Sequence, residues 1–302
     1  MNWWNDFADQ IERDAPLAKR TWFRLGGAAR YLFRPRDASQ LAALARRARE
    51  EEVPLKVLGA GANVLVSDDG FDGVVVRLDR PAFRRVKQVG PEFELGGGVD
   101  LMRFARRCSK RGYSGLECMA GVPATVGGAV RMNAGGRHGE FSDVVSEVTV
   151  LAPDGSVQTW PRERVRFHYR GSDLGDHIVL SARIALREDD PGQVGGRFEE
   201  LFAEKRRTQP IGEHSAGCIF KNPAGQSAGA LIDRAGLKGA VCGAAVVSER
   251  HANFIVAKRG ATASDVLRLI DVVRQRVQQA FGTRLETEVD IWRPQMAEAC
   301  AP

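Results

Sequence analysis

Three short segments of the chain carry side chains that could bind an anion or move a proton. Tyr169 and Arg170 stand next to Ser172, ahead of a predicted strand. A guanidinium matches a carboxylate or phosphate through two parallel hydrogen bonds, so one interpretation is an anion clamp. The alternative is a surface arginine beside a packed aromatic ring. The second segment contains Cys218. A single cysteine most often packs as a small, buried apolar side chain. A thiol with an ordinary pKa of about 8.5 is also mostly protonated at neutral pH and can donate a proton.

The third segment is a run of alternating acidic residues near the end of the chain. Glu286, Glu288 and Asp290 alternate with apolar or small residues, which is typical of a strand with one solvated face. One of these carboxyl groups could act as an active-site acid, but the alternation does not select which one. The five histidines are scattered without ligand spacing, so no metal site is predicted.

Two glycine-rich stretches suggest a large bound ligand. Residues 115–136 mix glycine with Val, Met, Ala and Pro, whereas a flexible linker would mix it with serine. Because glycine weakens helices and strands, we predict a buried loop whose backbone N–H groups face a flat or anionic molecule. Residues 59–63 form a second glycine turn between two short predicted strands. No long helix follows it, which excludes a Rossmann arrangement, and on its own it is equally typical of a β-turn.

Composition and charge restrict the class of protein. The chain has 302 residues, of which 43% are hydrophobic and 27% charged, and its formal net charge is +6. No apolar run approaches the ~18 residues of a membrane span, and the N-terminus lacks the pattern of a secretory signal, so we expect a cytoplasmic protein. The five widely spaced cysteines indicate neither a disulfide framework nor zinc. The scattered basic residues fit a polyanionic small ligand as well as they fit nucleic acid.

Periodicity and capping signals predict an α+β fold with mixed sheets, divided near residues 80 and 196. A hairpin is expected to turn at Asp154-Gly155, and residues 187–196 have the composition of a linker. Asp100 is expected to cap one helix, and a capping box at Thr262 with Gly282 at the end marks another. The other predicted elements are helices over 38–52, 197–207 and 227–235 and strands over 216–223, 253–257 and 285–292.

Eight motifs, taken in order, resemble the UDP-N-acetylenolpyruvoylglucosamine reductase family of peptidoglycan synthesis. Together they extend from about residue 20 to about residue 290, and eight motifs in register are far more specific than any one of them. They lie at residues 21–27, 58–66, 115–135, 167–172, 216–223, 235–239, 251–254 and 285–289.

The resemblance implies a fold and a domain organisation. It implies a two-lobed FAD-binding domain of the vanillyl-alcohol-oxidase (PCMH) type followed by a C-terminal α+β substrate-binding domain. The two flavin lobes would be residues 1–80 and 81–196, and the substrate domain would be residues 197–302. The short segment between Gly239 and His251 lacks the tyrosine-bearing loop of one subfamily, so the chain is similar to the second type.

The resemblance also implies an activity. NADPH would reduce FAD, and hydride would then pass to C3 of the enolpyruvyl group, with protonation at C2 giving UDP-N-acetylmuramate. The implied partners are the UDP-sugar and NADPH, with no nucleic acid, no membrane and no obligate protein partner. Two alternatives stay open: another FAD-dependent oxidoreductase of the same fold acting on a different small molecule, and an inactive flavin- or nucleotide-binding module.

Site residues follow from the resemblance position by position. Arg170 and Glu288 would polarise the substrate carboxylate and stabilise the enolic intermediate, and Cys218 would protonate C2 where the family usually has serine. Tyr169, Lys221 and Asn222 would contact the nucleotide sugar. Ala62 and Ala124 replace a usual serine and a usual glycine in the flavin loops. The implied FAD-binding residues are Gly59, Ala60, Gly61, Ala62, Asn63, Val64, Gly121, Val122, Pro123, Thr125, Gly127, Gly128, Asn133, Ala134 and Gly135.

Overall fold

A computed structural model describes residues 4–294 of the chain. These residues form two compact units. The first contains residues 4–12, Leu32–Ala60 and Val74–Arg207, and the second contains Arg13–Tyr31, Gly61–Gly73 and residues 208–294. Both units mix helices with strands, as predicted, whereas the division of the chain into three parts stays a prediction.

The secondary structure alternates short strands with six α-helices over the described residues. The helices are α1 Ala38–Glu50, α2 Leu101–Ser109, α3 Val126–Met132, α4 Pro191–Thr208, α5 Ala228–Arg234 and α6 Ala263–Phe281. The strands are β1 Ile11–Pro16, β2 Ala28–Phe33, β3 Leu55–Val57, β4 Val64–Val66, β5 Phe71–Val76, β6 Val86–Val89, β7 Glu92–Gly96, β8 Tyr113–Ser114, β9 Gly135–Gly136, β10 Gly139–Glu140, β11 Val145–Leu151, β12 Val157–Pro161, β13 Phe167–His168, β14 Gly171–Ser172, β15 Ile178–Ala185, β16 Arg187–Glu188, β17 Val241–Cys242, β18 Ala245–Val247, β19 Ile255–Ala257 and β20 Asp290–Trp292.

A five-stranded antiparallel sheet is the centre of the first unit. Its strand order is β12-β11-β15-β7-β6, and the predicted hairpin is confirmed, because β11 pairs with β12 around the turn at Asp154 and Gly155. The long strand β15 is buried at alternate positions along much of its length, as expected for a strand with one covered face. Phe93 on β7 packs edge-to-face on Phe104 of α2 with ring centroids 5.3 Å apart. This contact anchors α2 on the sheet.

Local capping signals give the helix ends correctly. Asp100 precedes α2, and its carboxylate accepts a hydrogen bond from the Arg103 N–H at 3.0 Å. In the second unit, Thr262 and Asp265 form the predicted capping box of α6, and Gly282 ends that helix with a left-handed backbone. Such caps satisfy N–H and C=O groups that a helix leaves without partners, so they are readable from a few neighbouring residues.

Two predictions about the first unit are wrong. The stretch of residues 115–136 is not entirely loop, because α3 lies inside it and carries Gly127 and Gly128. A Cβ on Gly127 would lie 3.1 Å from the Gly97 carbonyl oxygen, so close packing, and not flexibility, accounts for that glycine. The predicted linker over 187–196 is also wrong from Pro191 onward, where α4 begins. Proline is well tolerated in the first turn of a helix, and α4 is fixed by buried Val194 and Phe198.

The second unit is built on α6 and a small sheet of order β17-β18-β19. Its apolar core includes Leu269, Ile270 and Val273 of α6 together with residues of α5 and β18. Strand β4 pairs in parallel with β20, with Val64 opposite Asp290. Asp68, which follows β4, accepts hydrogen bonds from the N–H groups of Ala263 and Ser264 at 2.8 and 2.9 Å. A carboxylate at the start of α6 is stabilised by the helix dipole, and it ties the segment after β4 to that helix.

In the first unit, β3 pairs in parallel with the second half of β5, with Leu55 opposite Val74. Across the described residues, no helix has both the length and the apolar character needed to cross a bilayer.

Two strand predictions for the second unit need correction. The segment over 216–223 is not a regular strand, and the strand predicted over 285–292 is regular only in β20. A single antiparallel bridge between Phe220 and Thr287 joins the two segments. Proline at 223 and the left-handed Gly217 (φ +75°) prevent a longer ladder on the first segment.

Candidate active site

The Cys218 segment, residues 217–221, is held mainly through the backbone of the two residues that follow the cysteine. The Phe220 N–H donates to the Asn253 side-chain oxygen at 3.0 Å, and the Asn253 amide nitrogen donates to the Phe220 carbonyl at 2.8 Å. The Ile219 N–H donates to the Asn253 carbonyl at 2.8 Å. Asn253 is only 3% exposed, so all three bonds lie away from solvent. Cys218 itself is half-buried.

The same segment is bonded to the chain that carries Glu288. The Glu288 N–H donates to the Ile219 carbonyl at 2.8 Å, and the Lys221 N–H donates to the Glu286 carbonyl at 2.9 Å. The peptide groups of Ile219 and Phe220 are therefore bonded on one side to Asn253 and on the other to residues 286–288. The backbone segments that carry Cys218 and Glu288, which are seventy residues apart in the chain, are thus hydrogen-bonded to each other. That the two side chains form a common site stays a prediction.

Part of the predicted flavin loop adjoins Glu288 within the second unit. The Asn63 side-chain amide donates to the Glu288 carbonyl at 3.1 Å, and the Asn63 carbonyl accepts from the Asp290 N–H at 3.0 Å. Gly61 has a left-handed backbone (φ +70°), and a Cβ there would lie 2.3 Å from the Arg20 carbonyl oxygen. Only glycine satisfies both conditions.

Arg170 lies at the turn of a hairpin in the first unit, formed by β13 and β14 and called here the Arg170 hairpin (residues 167–172). Its own backbone is left-handed (φ +56°), which is unusual for a residue with a side chain. The guanidinium carbon lies 5.0 Å from the centroid of the Tyr169 ring, a cation–π distance. Ser172 closes the far side of the turn, because its hydroxyl donates to the Arg131 carbonyl at 2.9 Å.

Asn133 holds the near side of the Arg170 hairpin. It is 1% exposed, it caps the C-terminus of α3 with a left-handed backbone (φ +43°), and its side-chain nitrogen donates to the Glu140 carboxylate at 2.6 Å and to the His168 carbonyl at 3.3 Å. Its side-chain oxygen accepts from the Ser142 N–H at 3.2 Å. Asn133 was predicted to bind FAD, and with its side chain engaged in this way any contact to the cofactor would come from its backbone.

The two glycine-rich stretches offer a setting that fits FAD. Gly59 approaches Thr125 so closely that a Cβ on it would lie 2.5 Å from the Thr125 hydroxyl, which brings the two stretches together in the first unit. The backbone N–H groups of residues 59–63 donate no hydrogen bond to any other group in the described part of the chain. Unused amides beside side-chain-free glycines are suited to a pyrophosphate. In α3, by contrast, the N–H groups of Val126, Gly127 and Gly128 are bonded to protein oxygens.

One lysine near these loops was missed by sequence reasoning. The Lys205 ammonium donates to the Cys118 carbonyl at 3.1 Å, and its side chain covers Gly121. Burial is the main reason that the pKa of Lys205 is lowered to about 8, and the nearby positive charge of Arg170 acts in the same direction. Lys205 lies in the Glu-Lys-Arg-Arg run of α4, which has the composition of a solvated helix face, so no local signal distinguishes it.

The remaining predicted contacts are distributed over both units. Tyr169 is 42% exposed beside Arg170. The Asn222 side-chain oxygen accepts from the Ala228 N–H at 3.0 Å and so reaches the start of α5. The Lys221 ammonium lies 3.8 Å from the Glu286 carboxylate. Among the described residues, no three His, Cys, Asp or Glu side chains form a group that could hold a metal ion.

Comparison with known proteins shows which class of protein has these features. Residues 29–160 match the model of an FAD binding domain, and residues 209–292 match the C-terminal domain of UDP-N-acetylenolpyruvoylglucosamine reductase. A reductase of this name from Symbiobacterium thermophilum is 43% identical over 94% of this chain and 92% of its own length. One from Anaeromyxobacter is 44% identical over 93% of this chain and 88% of its own.

A solved structure agrees with these matches. The crystal structure of the Thermus caldophilus UDP-N-acetylenolpyruvylglucosamine reductase is similar with a TM-score of 0.82 and 38% sequence identity, covering 94% of this chain and 99% of the other. The fold and the domain matches define an oxidoreductase with an FAD-binding domain. The chain belongs to the UDP-N-acetylenolpyruvoylglucosamine reductase family. The predicted fold class, FAD-dependent enzyme class and family are therefore confirmed.

Proposed function

We propose that this chain is the NADPH-dependent reductase that converts UDP-N-acetylenolpyruvoylglucosamine to UDP-N-acetylmuramate in peptidoglycan precursor synthesis. Family membership supports the reaction. The observation that carries the assignment of residues is the backbone bonding of the Cys218 segment to the Glu288 segment through Ile219. That bonding supports a common role for the Cys218 thiol and the Glu288 carboxyl group in a reaction in which an enolic intermediate forms and is protonated.

FAD, when bound, would carry hydride from NADPH to C3 of the enolpyruvyl group. Residues 59–64 and 121–135 would hold it, with the unbonded N–H groups of residues 59–63 facing its phosphates. Gly61 and Gly59 would keep the backbone close enough for that contact, because neither has room for a side chain.

Cys218 would supply the proton that completes the reduction. As hydride arrives at C3, the former double-bond electrons move to C2 and into the carboxylate. The S–H bond of Cys218 then breaks as the C2–H bond forms, and solvent returns a proton to the thiolate. A thiol is a stronger acid than the serine hydroxyl usual in the family by several pKa units, so the exchange preserves this role. It makes the site open to oxidation.

Arg170 and Glu288 would stabilise the charge that builds during this step. A guanidinium that faces the substrate carboxylate binds the enolic form more tightly than the ground state, since negative charge grows there. Tyr169, Lys221 and Asn222 would contact the nucleotide sugar. The division into flavin lobes at residues 1–80 and 81–196 and a substrate domain at 197–302 belongs to the same proposal, as does a cytoplasmic location.

An anaerobic two-step experiment tests the proposal. The purified protein should be yellow, NADPH should bleach its flavin absorbance, and enolpyruvyl-UDP-N-acetylglucosamine should restore that absorbance without oxygen. A colourless protein that takes up no FAD would contradict the proposal. Rapid reoxidation by oxygen, with none by the enolpyruvyl substrate, would instead indicate a different oxidoreductase of this fold.

A further inference from the structure

Asn253 occupies a position with no assigned role and has an unusual set of contacts. Its backbone carbonyl accepts from the Ile219 N–H, and the oxygen and nitrogen of its side chain bond to the N–H and the carbonyl of Phe220. A buried side-chain amide that donates to and accepts from the same residue restrains the two peptide groups that flank that residue. The Asn253 side chain thereby restrains the backbone two residues after Cys218.

Asn253 is itself fixed by its surroundings. Its N–H donates to the His251 ring nitrogen Nδ1 at 3.3 Å, and the His251 ring packs on Phe254 with centroids 4.9 Å apart. Burial lowers the pKa of His251, which favours the neutral ring that can accept this bond. Ser248 closes the preceding turn separately, because its hydroxyl accepts from the N–H groups of Arg250 and His251 and forms no hydrogen bond with Asn253.

The carbonyl of Ile219 is hydrogen-bonded to the backbone of Glu288, the second proposed reactive residue. The Ile219 carbonyl accepts from the Glu288 N–H at 2.8 Å while the Ile219 N–H is held by Asn253 at 2.8 Å. A displacement of Ile219 would therefore move Cys218 along the chain and Glu288 through this bond. The Phe220 N–H belongs to the same peptide group as the Ile219 carbonyl and donates to the Asn253 side-chain oxygen at 3.0 Å, so the side-chain amide is linked through one peptide group to both segments.

We infer that Asn253 is a positioning residue for proton transfer. Through the backbone of Ile219 and Phe220 it sets the position of the Cys218 thiol relative to the Glu288 carboxyl group. The inference rests on the proposed function, because it concerns the protonation of C2. Asn253 touches neither reacting atom. Its effect should fall on the second half-reaction, where protonation occurs, and leave flavin reduction by NADPH unchanged.

The test uses the FAD-loaded enzyme and the variant Asn253→Asp. Aspartate has the same shape and keeps the acceptor for the Phe220 N–H, but it places a second oxygen against the Phe220 carbonyl. A displacement of the order of 1 Å costs roughly a hundred-fold in rate, so we expect reoxidation by the enolpyruvyl substrate to slow by roughly ten- to a hundred-fold. The solvent deuterium isotope effect on that step should rise, because the misplaced thiol makes proton transfer slower relative to hydride transfer.

Ser248→Ala is the matched control. It removes two side-chain hydrogen bonds in the same buried turn but none to residues 218–220. It should lower the melting temperature without changing the isotope effect. A destabilisation that acts only through loose folding would lower the melting temperature of both variants and raise the isotope effect of neither. Asn253→Ser, with a smaller side chain, serves as the second variant if Asn253→Asp fails to bind flavin.

The possible outcomes separate the inference from the proposed function. If the wild-type enzyme is not reoxidised by the enolpyruvyl substrate, the proposed function is wrong. If the wild type is reoxidised while Asn253→Asp keeps the same rate and isotope effect, the positioning role is wrong and the reaction stands. The positioning role is also wrong if Ser248→Ala reproduces the kinetic change.

Discussion

The Arg170 hairpin and the Cys218 segment are both fixed by a buried asparagine, yet they carry their backbone strain at different places. In the hairpin the left-handed residue is Arg170 itself, with φ +56°. In the other segment it is Gly217, one residue before the reactive cysteine, with φ +75°. A left-handed backbone costs a residue with a side chain about 1–2 kcal/mol and costs glycine almost nothing.

This difference indicates what each site tolerates. The hairpin stores strain in the functional residue, and it is held from both sides by Asn133 and by the bond from Ser172 to Arg131. Strain of this kind persists only where the surroundings over-determine the conformation. The Cys218 segment has no strained reactive residue, so its geometry depends on hydrogen bonds to distant parts of the chain. The first site should therefore resist loss of individual contacts better than the second.

The largest expected effect on activity comes from substituting the Cys218 thiol. Cys218→Ala should slow reoxidation of the flavin by the enolpyruvyl substrate by roughly 10²- to 10⁴-fold, the range over which a positioned proton donor contributes, and leave reduction by NADPH unchanged. Cys218→Ser should retain most of the activity, since a hydroxyl can take the same place. Stopped-flow absorbance measures both steps. Equal turnover in Cys218→Ala would remove this residue from the mechanism.

Substitution of Arg170 should have the second-largest effect on activity. Arg170→Lys keeps the charge but loses the planar pair of donors, so kcat should fall by roughly 10²-fold, with a smaller change in KM. Steady-state kinetics over a range of enolpyruvyl substrate concentrations gives the two parameters separately. A rise in KM alone would show that Arg170 binds the ground state and the enolic form equally, contrary to its proposed role.

A pair of stability measurements tests the comparison directly. Gly217→Ala places a methyl group where no atom lies within 4 Å, so only the backbone cost remains, and the free energy of unfolding should fall by about 1–2 kcal/mol. Arg170→Gly relieves the corresponding strain in the hairpin, so it should abolish activity without lowering stability. Urea unfolding followed by fluorescence checks both. If Arg170→Gly is the less stable of the two, the strain was wrongly located.

The smallest expected effect concerns a thiol of the first unit. Burial is the main reason that the pKa of Cys118 is raised from 9.0 to about 11; Lys205 opposes this shift, and the Asp143 and Glu117 charges add to it. Between pH 7.5 and 9 its thiolate fraction, and so its alkylation rate in the folded protein, should be about 100-fold below that of a free cysteine. The rate should keep rising toward pH 11, where a model thiol has levelled off. Mass spectrometry of iodoacetamide-treated protein measures this, and a plateau near pH 9 would contradict it.

Features specified by neighbouring residues were predictable. The caps at Asp100 and Thr262, the turn at Asp154-Gly155 and the helix end at Gly282 depend on a few residues each, and all are confirmed. Predictions made from local composition were wrong where buried side chains determine the structure. Gly192, Gly195 and Gly196 predicted a linker, but buried Val194 and Phe198 keep that stretch helical in α4.

The site could be predicted only in part, because several of its contacts join residues that are far apart in the sequence. Cys218 and Glu288 were selected through family motifs. The hydrogen bond from the Glu288 N–H to the Ile219 carbonyl joins their segments, and the roles of the two side chains stay predictions. The tasks of Asn133 and Asn253 depend on groups 35 and 33 residues away, and neither residue's neighbours reveal which peptide it holds. The predicted FAD and substrate contacts remain predictions.

The parallel pairing of β4 with β20 has a consequence for how the chain is made. Asn63, in the loop proposed to meet the flavin phosphates, bonds to a residue 225 positions later. During synthesis the ribosome must therefore produce nearly all of the described chain before this loop acquires its last partner. Pairings between such distant residues form slowly, because a long stretch of chain must first be brought back. A chain stopped after residue 284 should remain open to protease cleavage between residues 61 and 66, and we expect it to retain flavin only once residues 288–292 have been translated.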